Sequence, residues 1–104
     1  MPFSIQTLNA FEMTGRSAAC EIPAKRSGHR AFVGIYPPGH GILQWRIKRF
    51  EIPATLVDKS IYDGDLLDLQ FIKVDTLEEV EDVLRSWAIA SSLFDAPWKS
   101  DWPF

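Results

Sequence analysis

Cysteine and histidine are almost missing from this chain. One Cys and two His stand among its 104 residues. Cys20 has no partner for an internal disulfide, which fits a reducing compartment and points to the cytoplasm. Cys20, His29 and His40 show no ligand spacing of the C-x₂-C or H-x₃-H kind, so no structural zinc is expected. No apolar run approaches about 18 residues, so no membrane-spanning helix is expected. The opening Met1-Pro2-Phe3-Ser4 has no basic stretch leading into an apolar core, and no secretory leader is read there. A glycine-rich phosphate loop is missing too: Gly39 and Gly41 flank one residue and lack the rest of any fingerprint. Nothing in the chain calls for a cofactor. No repeat, low-complexity tract or long linker divides it, and residues 1–104 fit one domain.

What the chain does hold is apolar mass and an uneven charge. Hydrophobic residues make up 46%, with four Trp and seven Phe, enough to build a core. Residues 1–62 carry eight Lys+Arg against four Asp+Glu, a balance of +4. Residues 63–104 carry three against ten, a balance of −7, and the two halves sum to the net −3. Such asymmetry either marks a partner surface or is neutralised within the fold.

Residues 66–90 hold the clearest pattern. Leu67, Leu69 and Phe71 recur at a period of two, with Asp68 and Gln70 between them. That is a half-buried strand with one wet face. Asp75 or Thr76 then caps a helix, and each has a Glu three residues on, Glu78 or Glu79. The acidic first turn suits the positive end of the helix dipole. Leu77, Val80, Leu84, Trp87 and Ala88 follow at three- and four-residue spacing, with Glu78, Glu79, Glu81, Asp82 and Arg85 opposite. One amphipathic helix over about 76–91 is expected, packed on a sheet.

Earlier in the chain, Phe3, Ile5 and Thr7 alternate like a strand, although Leu8 and Phe11 also suit a helical turn. A turn at Thr14-Gly15-Arg16 leads into a strand over residues 17–23. Residues 31–36 and 42–52 form a hairpin around Pro37-Pro38-Gly39-His40-Gly41. In the second arm the apolar phase changes after Arg49, from Trp45 and Ile47 to Phe50 and Ile52, which suggests a β-bulge. Pro53 is placed to open a short helix with Leu56, Val57 and Ile61 inward. The expected fold is α+β: an antiparallel sheet of four to five strands with one main helix on one face.

Candidate sites are few. A Cys20–His29 or Cys20–His40 pair is a conceivable nucleophile, but Cys20 follows Ala18-Ala19 and reads as a buried small hydrophobe. Asp63, Asp65 and Asp68 crowd a turn without the loop length or closing Glu of a calcium site, so no metal is expected. Lys25, Arg26, Arg30, Arg46, Lys48 and Arg49 offer a basic strand face that could follow a nucleic-acid backbone, against an acidic whole. Asp65, Asp68, Glu78, Glu79 and Asp82 offer the opposite surface, suited to a basic protein partner. The last seven residues hold Trp98, Trp102 and Phe104. This tail either folds back over the sheet, or anchors a partner or a second copy of the chain. The favoured expectation is a non-enzymatic binding module of inhibitor or immunity type. Its acidic residues would block a basic partner such as a nuclease toxin, with Trp98 and Trp102 as apolar anchors. The alternative is a small nucleic-acid-binding protein using the basic strand face.

Overall fold

The computed structural model describes residues 3–39, 41–57, 59 and 63–104. Helix α1 (Ile5–Asn9) continues into a wider π turn, Ala10–Thr14. Strands β1 (Ala18–Ile22), β2 (His29–Tyr36), β3 (Trp45–Pro53) and β4 (Leu67–Val74) follow, then helix α2 (Leu77–Ser86). The strands lie side by side in chain order, each antiparallel to the next. This is the expected α+β fold with one main helix. Among the described residues, no helix is long and apolar enough to cross a membrane.

Both faces of the sheet are covered. Alternation along β2 and β3 sends Ala31, Val33, Ile35 and Ile47 to one face, where Val80 and Leu84 of α2 meet them with Phe3, Phe11 and Phe94. Phe32, Phe50 and Ile52 point to the other face, where Trp102 closes a second cluster. This two-sided burial explains the change of apolar phase in β3. The bulge expected there lies in β4 instead. β3 pairs with β2 unbroken, but Arg49 faces Gln70 while Glu51 faces Leu67, so two steps in β3 match three in β4. Asp68 takes a left-handed φ of 52° at that point.

The N-terminal segment is a helix, not the strand its alternation suggests. Ser4 caps it, accepting from the Thr7 N–H at 3.2 Å. Phe3, Thr7 and Phe11 recur every four residues and are buried. The polar member of that stripe is satisfied, since the Thr7 hydroxyl donates to the Phe94 carbonyl at 3.0 Å. Gly15, at φ 63°, ends the segment in the left-handed region that glycine enters without steric cost.

At the start of α2 the capping box forms as its residues imply. The Glu79 N–H donates to Thr76 Oγ1 at 3.1 Å, and Glu79 Oε1 accepts from the Asp75 N–H at 3.3 Å. The helix ends at Ser86, five residues short of the expected boundary. Ala88 turns left-handed at φ 58°. Its N–H donates to the Arg85 carbonyl at 3.0 Å, and the Ile89 N–H donates to the Leu84 carbonyl at 2.9 Å. That is a Schellman stop with Ala where glycine is usual.

The tail does fold back. Phe94 lies in the first cluster. Asp95 then pairs with Ala19 at the β1 edge through two backbone bonds of 2.9 and 3.1 Å. After a 3-10 turn, Pro97–Lys99, Trp102 reaches the second face. Its ring sits on Gly34, where a Cβ would come within 2.5 Å of a ring carbon. A short 3-10 turn, Ala54–Leu56, follows Pro53, and Val57 packs against the second cluster. The expected inward Ile61, the candidate base His40 and the side chain of Asp63 lie outside the described residues.

Candidate functional site

Because α2 stops at Ser86, it leaves one end of the sheet open on its own face. A cleft of about 370 Å³ occupies that end, floored by β3 and the start of β4 and walled by Trp87. Glu51 lies in it, buried between Phe50 and Ile52 in the strand. Its oxygens accept from the Lys25 and Arg26 N–H groups, each at 3.0 Å. The Arg26 guanidinium bridges Glu51 at 3.3 Å and Asp68 at 2.9 Å. Burial works to raise the Glu51 carboxyl, but the two backbone bonds and Arg26 outweigh it and hold it below its ordinary range. The Asp68 carboxyl is also held low, by the hydrogen bond and charge of Arg26 and, further off, by Lys25 and Arg49. Arg49 lies over the Trp87 ring, 5.0 Å from its centroid.

The five acidic residues singled out from sequence are not one surface. Asp68 belongs to the cleft and is paired to Arg26. Asp65 lies half-buried just before β4. Glu78, Glu79 and Asp82 are on α2, which packs against β3 and β4. Glu79 is engaged in the capping box. Asp82 pairs with Arg85 at 2.7 Å, both side chains well exposed, and such a surface pair contributes little. Glu78 and Asp82 therefore remain outward on the helix.

The basic residues are dispersed as well. Arg30 grips Glu21 through two bonds, of 2.8 and 2.6 Å, and reaches Asp101 at 3.2 Å. Arg46 donates to the Pro37 carbonyl at 3.0 Å and lies over Tyr36. The Lys48 ammonium sits 3.7 Å from the centroid of Phe104. Arg49 lines the cleft and Arg26 pairs with its two carboxylates, on the opposite face of the sheet from Arg46 and Lys48. Arg26–Asp68 and Arg30–Asp101 join the basic first half to the acidic second half, so part of the charge asymmetry is neutralised inside the fold.

The tail divides between the two roles considered for it. Trp102 is only 9% exposed, which removes it from the partner anchors. Trp98 is 68% exposed, beside a groove of about 440 Å³ between α1 and the tail at the β1 edge. That is the opposite edge of the sheet from β4, so Trp98 shares no surface with the acidic helix. β4 corrects another expectation. Leu69 and Phe71, expected to face the core, are 46% and 51% exposed. The tail covers β2 and β3 but stops short of β4, while Ile72 and Val74 face the helix side.

Cys20 is buried and reads as a core residue, its thiol pushed up to about 12 by loss of solvent. It pairs in register with Val33, four positions along β2 from His29, whose Nδ1 lies 3.0 Å from the Ser27 carbonyl. Among the described residues, no group of three His, Cys, Asp or Glu is arranged to hold a metal ion. Of the cleft residues, Glu51 escapes a reading of the sequence, Trp87 reads only as part of the apolar helix stripe, and Lys25 only as part of a basic strand face. The one signal for Glu51 is a carboxylate between two apolar residues in a buried strand. Comparison with known protein families, curated proteins and solved structures finds no match.

Proposed function

We propose that the chain is a non-enzymatic protein-binding module whose α2 face meets a basic partner, an inhibitor or immunity role against a target such as a nuclease toxin. The observation that supports it is the outer face of α2. Val80 and Leu84 hold the helix down, and its ten residues carry four carboxylates against one Arg. Glu78 and Asp82 point outward from it. Complementary charge speeds encounter and rejects wrong partners. β4, the edge strand beneath α2, adds apolar contact through Leu69 and Phe71 on its other side. A partner approaching that edge meets carboxylates on one side and apolar surface on the other. The same reading places the protein in the cytoplasm, where Cys20 stays reduced.

The test is capture from host lysate by the intact chain and by a Glu78→Lys/Asp82→Lys variant, which leaves the capping Glu79 in place. One basic protein should be retained by the intact chain only, unaffected by nuclease and released by added salt. Capture that survives the charge reversal would overturn the reading. So would capture that nuclease abolishes, which would favour the basic residues and a nucleic acid.

A further inference from the structure

The cleft at the end of α2 is asymmetric in how its charges are met. Its carboxylates are each paired: Glu51 with two backbone N–H groups and Arg26, Asp68 with Arg26. Its other cations are not. Among the described residues, neither the Lys25 ammonium nor the Arg49 guanidinium lies within ion-pair distance of a carboxylate, and Arg49 lies over the Trp87 ring. Lys25 and Arg49 line the cleft with Glu51 and Asp68, and Arg26, bridging both carboxylates, brings the local balance to one positive charge. The Asp68 carboxyl is held low chiefly by Arg26, and the charges of Lys25 and Arg49 lower it further, so both act on the same space. A guanidinium over an aromatic face keeps the donors around its rim, the geometry that receives a carboxylate or phosphate in fork fashion. Gln70 adds an amide at the wall, in register with Arg49.

We propose that this cleft binds a small oxyanion group, carboxylate or phosphate, between Lys25 and Arg49. Trp87 holds the guanidinium in place and shields one side from water. The site lies apart from the outer face of α2 and stands whether or not that face has a partner.

Titration of the intact chain with inorganic phosphate, and separately with acetate, followed by ¹H–¹⁵N spectra at matched ionic strength, tests it. The Lys25 amide, the Arg49 Nε and the Trp87 indole signals should move together and saturate. Arg49→Gln should weaken the apparent affinity at least five-fold, and Lys25→Gln should do likewise. Lys59→Gln, an exposed cation elsewhere, should leave it unchanged. Saturation by phosphate alone supports the site and assigns it a tetrahedral, doubly charged group; saturation by both supports a general oxyanion site. A linear drift without saturation in either titration would overturn the proposal. Unchanged affinity in both the Arg49 and Lys25 variants, each retaining folded dispersion, would overturn it as well.

Discussion

The two faces of the sheet are closed by different means. On one face a regular helix lays Val80 and Leu84 over Val33, Ile35 and Ile47. On the other an irregular tail places one large ring, Trp102, over Phe32, Phe50 and Gly34. The helix cover rests on periodicity and a cap, and each residue adds a modest part. The tail cover concentrates its burial in Trp102 and in the absence of a side chain at position 34. Aromatic rings surround Trp102 at centroid distances from 5.2 to 6.4 Å: Phe32, Tyr36, Phe50 and Phe104. A cover of this second kind fails at a single point, whereas the first can shed contacts one at a time.

The largest effect should come from breaking each cover at its centre. Trp102→Ala should cost about 3–5 kcal/mol and Leu84→Ala about 2–5 kcal/mol, read by chemical denaturation. For a domain of this size about 3 kcal/mol lowers the melting temperature by roughly 12–20 °C. A Trp102→Ala cost below about 1 kcal/mol would mean that the tail is an appendage and the second face needs no cover.

An intermediate effect has a defined pH course. The Lys25 and Arg26 backbone N–H groups together with the Arg26 side chain hold Glu51, and the Arg26 side chain holds Asp68, below their ordinary values of 4.5 and 3.8. A lowered carboxyl adds stability above its unfolded value and loses it as pH falls through the folded one. The intact chain should therefore exceed Arg26→Gln in stability at pH 7, and the gap should close as pH falls below about 4. A gap that stays constant down to pH 2 would show that Arg26 acts through packing alone.

Smaller effects sharpen the same contrast. Ala88 sits in the left-handed region that glycine enters freely, so Ala88→Gly should raise stability by about 1 kcal/mol. A loss instead would show that the Ala88 methyl packs to more effect than its backbone strain costs. At the uncovered end of the second face, Leu69→Ser and Phe71→Ser should each change stability by less than about 1 kcal/mol. Costs of about 2 kcal/mol or more would place both under cover.

The difference between the covers also decides what a sequence reading can see. The hairpin of β2 and β3 and the Thr76 cap follow from local rules, and both are where those rules put them. The N-terminal helix hides because its buried stripe includes Thr7, whose hydroxyl finds a partner 87 residues away. The end of α2 hides because Ala88 does the work expected of glycine. β4 carries apolar residues on both sides, Leu69 and Phe71 on one, Ile72 and Val74 on the other. Which side is buried depends on where α2 and the tail reach, a tertiary fact. The candidate surfaces suffer most from this. Charges that read as one acidic and one basic patch are divided by the fold, with Arg26 and Asp68 meeting across 42 residues. Trp98 and Trp102, alike in composition, end on the surface and in the core.

The docking of Trp102 on Gly34 can be observed without altering the chain. A ring this close must shift the Gly34 Hα resonances strongly upfield and give cross-relaxation between those protons and the Trp102 ring. Upfield Gly34 Hα signals with cross-peaks to the indole are the result expected of a sheet covered on both faces. Gly34 Hα shifts at ordinary strand values, with Trp102 signals typical of an unfolded peptide, would contradict it and return the tail to the list of surfaces open to a partner.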